Sequence, residues 1–186
     1  MTKAGVLALQ GDFREHARAF VKAGADPIEV RTPEQLAGVD CLVIPGGEST
    51  TISKLARAHG LVEPIRARGR DGMPILGTCA GMIVLADQVV GGEPLLSLMD
   101  IGVRRNAYGR QVDSFEADLD VIGIDHPVRG VFIRAPWIER VGHDVSVLSE
   151  FEGRPVVLEH DNVLVASFHP ELVGETGLHE YLLGKV

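Results

Sequence analysis

The chain has 186 residues, 45% of them apolar and 24% charged, which is the composition of a packed globular domain and not of a disordered or fibrous chain. A formal net charge of -8 argues against a nucleic-acid surface, because phosphate binding needs clustered lysine and arginine. Two cysteines make no disulfide framework, and the apolar run at 6–9 is too short for a signal-peptide core or a membrane span, so a reducing, cytoplasmic setting with no membrane partner is expected.

The predicted elements begin with a strand at 6–9, a helix at 13–23 closed by Gly24, a strand at 28–31 and another at 41–44. Cys41 lies inside the last of these, in Asp40-Cys41-Leu42-Val43-Ile44, and reads as core packing. After Pro45-Gly46-Gly47-Glu48-Ser49, apolar Ile52, Leu55, Ala56 and Ala58 predict a helix over 51–58 with Ser49 as its cap. A second helical piece follows at 64–69, and Arg57, Arg66, Arg68 and Arg70 around it read as a solvated face. A short buried strand then breaks at Gly77-Thr78-Cys79-Ala80-Gly81 into a helix reaching about residue 86. From Gly102 onward the pattern turns β-rich, with runs at 131–133, 145–148, 155–158 and 163–166, a turn at Glu152-Gly153-Arg154, and a terminal helix over 176–183. Strands alternating with helices imply an α/β fold, a three-layer sandwich whose mostly parallel central sheet carries helices on both faces, with residues 1–186 as a single domain.

Cysteine at a strand-to-helix break is how a fold presents a nucleophile, and the glycines two residues either side of Cys79 let the backbone turn tightly. The N–H groups opening the next helix favour negative charge at that point. Ligands of open parallel sheets bind beyond the carboxyl ends of the strands. Three predicted strand-end loops hold unusual chemistry, Gln10-Gly11-Asp12, Pro45-Gly46-Gly47-Glu48-Ser49 and the Cys79 turn, and Phe168-His169-Pro170-Glu171 is a fourth. A cysteine nucleophile needs a base and a group that orients the base. His169 and Glu171, one residue apart in an expected extended backbone, can face the same side and fill those roles, with Pro170 stiffening the pair. The N–H groups of Ala80 and Gly47 are the candidate oxyanion donors. His16, His59, His126, His143, His160 and His179 lack such a setting and are left out. No Cys-x-x-Cys or His-x-x-x-His spacing suggests a metal, and no phosphate loop suggests a nucleotide, so no metal or cofactor is expected.

Taken together, Pro45-Gly46-Gly47-Glu48-Ser49, Gly77-Thr78-Cys79-Ala80-Gly81 and His169-Pro170-Glu171 resemble the motifs of the class I, triad-type glutamine amidotransferases, whose fold is flavodoxin-like. Within them the chain resembles, almost end to end, the glutaminase subunits of pyridoxal 5′-phosphate synthase. The residues that carry this are Gly5-Val6-Leu7-Ala8-Leu9-Gln10-Gly11-Asp12, Arg105-Asn106, Gly109-Arg110-Gln111-Val112-Asp113-Ser114-Phe115-Glu116, Phe132-Ile133-Arg134-Ala135-Pro136 and Ser167-Phe168-His169-Pro170-Glu171-Leu172. Phe13, Trp137 and Val173 depart from the pattern, away from the triad. The resemblance implies that Cys79 attacks the side-chain amide of L-glutamine, that His169 protonates departing ammonia, that Glu171 orients His169, and that Gly47, Glu48, Ser49, Arg105, Ile133 and Arg134 contact glutamine. Arginine suits the α-carboxylate, Glu48 could meet the ammonium if it faces the pocket, and Arg104 and Arg110 read as surface ion pairs. The implied partner is a (β/α)8-barrel synthase subunit that accepts the ammonia within a large hetero-oligomer. Docking near Gln10 and Gly11 would adjust the oxyanion hole.

Three alternatives stay open on sequence alone. They are a glutaminase serving another synthase, such as that of histidine biosynthesis, a cysteine hydrolase of the same architecture, and a catalytically silent binding subunit.

Overall fold

The computed structural model describes residues 1–105 and 114–186. Asn106 and the stretch from Gly109 to Asp113, including Arg110, lie outside the described residues.

In chain order the elements are β1 (Lys3–Leu7), α1 (Phe13–Lys22), β2 (Asp26–Val30), α2 (Pro33–Ala37), β3 (Cys41–Ile44), α3 (Ser49–Ala58), α4 (Val62–Arg70), β4 (Ile75–Thr78), α5 (Ala80–Leu85), β5 (Ala86–Val90) and β6 (Met99–Arg104). They continue with β7 (Phe115–Leu119), β8 (Val128–Phe132), β9 (Trp137–Val141), β10 (Ser146–Phe151), β11 (Arg154–His160), β12 (Val163–Ala166), a short 3-10 turn at Glu171–Val173, and α6 (Gly177–Leu183). A seven-stranded sheet in the order β10-β11-β12-β4-β3-β1-β2 forms the centre. From β2 through β1, β3 and β4 to β12 every pairing is parallel, and β11 and β10 extend that run antiparallel.

The inner parallel strands β3, β4 and β12 are buried along their whole length because both sides are covered. Along β3, Leu42 and Ile44 join a core with Leu36 of α2, Ile52 of α3, Ile65 of α4 and Leu85 of α5. Cys41 and Val43 point the other way, to a core with Phe20 of α1 and Leu178 and Leu182 of α6. Strand alternation thus feeds two separate apolar layers, and the three-layer arrangement expected from the sequence is observed. Phe115, Phe132 and Phe151 stack in the second layer, Phe115 lying 4.6 Å from Phe132 and nearly parallel to it.

Several expectations are corrected. The α3 helix starts at Ser49, and Glu48 is its cap: the Glu48 carboxylate accepts from the N–H groups of Thr50 at 3.1 Å and Thr51 at 2.7 Å. A carboxylate reaches both orphan amides at once, which the Ser49 hydroxyl, one residue inside the helix, does not. Arg66 and Arg68 are not merely solvated. Arg66 donates to the Leu96 carbonyl at 3.1 Å, and Arg68 to those of Leu36 at 3.1 Å and Val39 at 2.8 Å, so they tie α4 to α2 and to neighbouring loops. Arg104 pairs with Glu139, as expected of a surface arginine. The predicted turn at 152–154 closes the β10–β11 hairpin with Glu152 and Gly153 both at positive φ, 50° and 72°. Among the described residues no helix is long and apolar enough to cross a membrane.

Candidate active site

Because β1, β3, β4 and β12 are parallel neighbours, their carboxyl ends share one edge, and the four loops singled out above leave from that edge. At its middle, buried β4 ends at Thr78 and α5 begins at Ala80, leaving Cys79 at the corner with φ 48° and ψ −103°. A side chain held in that region stores roughly 1–3 kcal/mol of backbone strain. The flanking glycines avoid side-chain clashes at the turn, as expected, and they do so without left-handed backbone. Neither has a positive φ; they permit close approach, since a Cβ on Gly81 would lie 2.0 Å from the Ile44 carbonyl oxygen and one on Gly77 would lie 2.7 Å from that of Gly81. The corner is fixed by the Cys79 N–H donating to the Ala166 carbonyl at 2.8 Å and by the Cys79 carbonyl accepting from Met82 at 3.1 Å.

His169 follows β12, and its backbone exchanges two hydrogen bonds with Val131 of β8, at 2.8 and 3.2 Å. Its side chain is buried and reaches both neighbours of interest. Nδ1 lies 2.8 Å from Glu171 Oε1, and the ring borders the same cavity as Cys79. Burial works to lower the His169 pKa, but interactions with Cys79 and Glu171 outweigh it and push it up to about 10. Burial likewise works to raise Glu171, yet His16 and His169 hold it well below the ordinary carboxylate range. The two residues meet through a turn and not through extended backbone: Pro170 is helical at φ −71° and ψ −31°, and Glu171 opens the 3-10 turn, which folds the carboxylate back under the ring. Gly46 makes room for this ring, for a Cβ there would stand 2.2 Å from His169 Cε1.

Gly47, Glu48, Ser49, Cys79, Ala80, Arg105, Ile133, Arg134 and His169 all line one cavity of about 370 Å³, together with Asp12, Ile83 and Pro136. The two candidate oxyanion donors therefore border the same space as the thiol. Glu48 is more engaged than the sequence suggested. Besides capping α3 it accepts from both threonine hydroxyls and from Arg105 at 3.2 Å, and the bonds from Thr50 and Thr51 pull its pKa down to about 2. Arg105 and Glu48 thus form an ion pair at the rim. Arg134 sits at φ 46° just past β8, the strand that also pins His169.

Sequence reasoning missed the residues behind the triad. His16 of α1 places Nε2 3.0 Å from Thr78 Oγ1 and 3.4 Å from Glu171 Oε1, and Nδ1 2.8 Å from His179 Nε2 of α6. Each has a glutamate as its immediate neighbour, Glu15 and Glu180, but on a helix adjacent residues face different directions, so this spacing does not mark them. Their signal is a polar residue on the apolar face of a helix, His16 preceding Ala19 and Phe20 by one turn. Asp12, on a loop already noted, puts Oδ2 3.5 Å from His169 Nδ1, and burial raises its pKa. Donor atoms of Asp12, His169 and Glu171 lie within 4.8 Å of one another, but two of them are already spent on each other, so the trio reads as a hydrogen-bonded group.

Residues 6–186 match the model of the SNO glutamine amidotransferase family. A protein of Streptomyces avermitilis named pyridoxal 5′-phosphate synthase subunit PdxT is 58% identical over 94% of this chain and 89% of its own. One of the same name from Frankia casuarinae is 53% identical over 99% and 94%. A crystal structure described as a glutamine amidotransferase superposes with a TM-score of 0.93 at 49% identity, covering 98% of this chain and 97% of the other. PurLQS from Thermotoga maritima, at 17% identity and a TM-score of 0.77, shares the fold. With a strand-end cysteine, a buried histidine and a carboxylate around one cavity, and with relatives matching over nearly the whole chain, the protein belongs to the SNO glutamine amidotransferase family.

Proposed function

We propose that this protein is the glutaminase subunit of pyridoxal 5′-phosphate synthase, hydrolysing L-glutamine to L-glutamate and ammonia for vitamin B6 biosynthesis. The observation that carries this reading is Cys79 and His169 together on the wall of a cavity large enough for one amino acid, with Glu171 hydrogen-bonded to His169 behind it. The names of the relatives support the same assignment.

The chemistry follows from the groups in place. His169, its Nδ1 held by Glu171, takes the thiol proton through its other nitrogen, and the Cys79 sulfur adds to the side-chain amide carbon of glutamine. The carbonyl oxygen becomes an oxyanion facing the backbone N–H groups of Gly47 and Ala80. His169 returns its proton to the amide nitrogen, the C–N bond breaks, and ammonia leaves behind a thioester. Water, deprotonated by His169, then attacks that carbon, the C–S bond breaks, and glutamate departs with the thiol restored. Ser49, Ile133 and Arg134 shape the pocket, Arg105 attracts the α-carboxylate, and Glu48, with one flank on Arg105, faces the ammonium.

Ammonia released to water becomes ammonium and is lost to biosynthesis, so the product passes to a synthase subunit, a (β/α)8 barrel assembled with this chain in a large cytoplasmic hetero-oligomer. Glutamate release measured with and without that subunit tests the assignment. Stimulation by the partner is expected, with Cys79→Ala abolishing glutamine-dependent synthesis that added ammonium salt restores. No stimulation would remove it.

A further inference from the structure

We propose that His16 and His179 form a buried, uncharged donor chain that fixes the orientation of Glu171, making both of them positioning residues for the His169 and Cys79 pair. The inference rests on the glutaminase reading of this site.

Three elements converge behind Glu171. α1 brings His16, α6 brings His179, and the end of β4 brings Thr78, all fully buried. The two imidazoles are 5.1 Å apart between ring centres, and Phe20 meets His179 edge-on at the same distance. The charged and titratable groups facing His16 are Glu171 itself, His169 beyond it, and Asp12 on the loop preceding α1.

The placement of protons is decided at the far end of the chain. His179 Nδ1 is buried with no hydrogen-bond partner among the described residues. Burial pushes the His179 pKa down to about 3, so this ring is neutral and carries one N–H. A proton on Nδ1 would strand a buried donor, which folded proteins almost never tolerate, whereas a proton on Nε2 leaves only an acceptor unfilled. Nε2–H therefore donates to His16 Nδ1 across 2.8 Å. With Nδ1 occupied as acceptor, His16 carries its own proton on Nε2, which points between Thr78 Oγ1 and Glu171 Oε1. The opposite arrangement would set a lone pair of His16 against carboxylate lone pairs. Glu171 Oε2 is also buried without a partner among the described residues, so Oε1 is the oxygen that both His169 and His16 address. A carboxylate fed a donor from behind stays ionised and unrotated, and it keeps His169 protonated opposite the sulfur.

The test compares wild type with His16→Leu, His16→Gln and His179→Phe by two readouts, glutamate release with the synthase subunit and, without glutamine, the pH dependence of Cys79 alkylation by iodoacetamide. Loss of the polar contact of His16 Nε2 with the Glu171 carboxylate at 3.4 Å predicts that His16→Leu lowers kcat by about tenfold or more. KM for glutamine stays within about twofold, because His16 does not line the cavity. The alkylation profile shifts to higher pH as Glu171 supports His169 less firmly. His16→Gln, whose amide N–H can reach the same carboxylate, restores most of both. His179→Phe keeps an aromatic ring beside Phe20 and moves both readouts the same way by a smaller factor. Equal loss in His16→Leu and His16→Gln with an unmoved alkylation profile would reduce the pair to packing and overturn the proposal. Should His16→Leu fail to fold, a His179→Phe profile superimposing on wild type would do the same. Absence of glutamate release from wild type would remove the glutaminase reading, while the alkylation series would still judge the donor chain.

Discussion

Gly46→Ala puts one methyl group where the His169 ring now lies, 2.2 Å from Cε1. An unstrained carbon–carbon contact is about 3.5 Å, so one side must retreat by roughly 1.3 Å. The loop cannot easily be that side. The Gly46 carbonyl accepts from Asp12 at 3.2 Å, and Gly11 packs so tightly on it that a Cβ there would fall 1.8 Å from the oxygen. The His169 backbone is pinned to Val131 through both its N–H and its carbonyl, so the imidazole must swing about its own side-chain bonds. That breaks the 2.8 Å bond to Glu171 and takes the ring off the sulfur. A misplacement of about 1 Å in a reacting group costs about a hundredfold in rate, and the overpacking itself destabilises by about 1–3 kcal/mol. Partner-stimulated glutamate release should therefore fall about a hundredfold in kcat with a folded protein and a modest drop in melting temperature. Activity within about twofold of wild type, or a structure of the variant with the 2.8 Å bond intact, would refute this account of why glycine stands at 46.

The pH dependence of stability has a definite sign. His169 is raised above the usual 6.5 to about 10, so its contribution is complete below 6.5 and is lost as pH rises toward 10. Thermal melts of wild type should decline over that window, and His169→Gln should flatten the decline. Glu171, held low, contributes above the ordinary carboxylate range and loses that contribution on acidification, so Glu171→Gln should show its largest deficit near neutrality by the same measurement. The two free cysteines should differ in reactivity. Cys41 is fully buried in β3, and burial pushes its pKa up to about 12, so native-state alkylation followed by peptide mass analysis should label Cys79 and spare Cys41. Removing the α3 cap with Glu48→Ala should cost about 1 kcal/mol in denaturant unfolding and also raise KM for glutamine, whereas a change in stability alone would detach Glu48 from the substrate.

Much of the fold was legible because the strands of the seven-stranded sheet announce themselves locally. The β3 run Cys41-Leu42-Val43-Ile44 and the β12 run Val163-Leu164-Val165-Ala166 are apolar and β-branched, bounded by turn residues, and both lie where the pattern places them. α2 went unread because five residues are too few to display a period, although Thr32-Pro33 followed by Gln35 is a capping box. β5 and β6 went unread for another reason: Ala86–Val90 continues directly from α5, and only tertiary pairing with β6, itself paired on its other side with β9, makes it a strand. At the site, glycine, cysteine, histidine and glutamate sit in short strand-end motifs and could be found by spacing. His16 and His179 could not, since 163 positions separate them and nothing but the packing of α1 against α6 joins them.

β12 lies between β4 and β11, so the strand that delivers His169 enters the interior of the sheet and not its margin. During synthesis the thiol emerges many residues ahead of the imidazole, and at that stage the slot beside β4 is empty. On the proposed mechanism a growing chain therefore carries an unarmed cysteine, and hydrolysis waits until the last parallel strand of the sheet has been inserted beside β4.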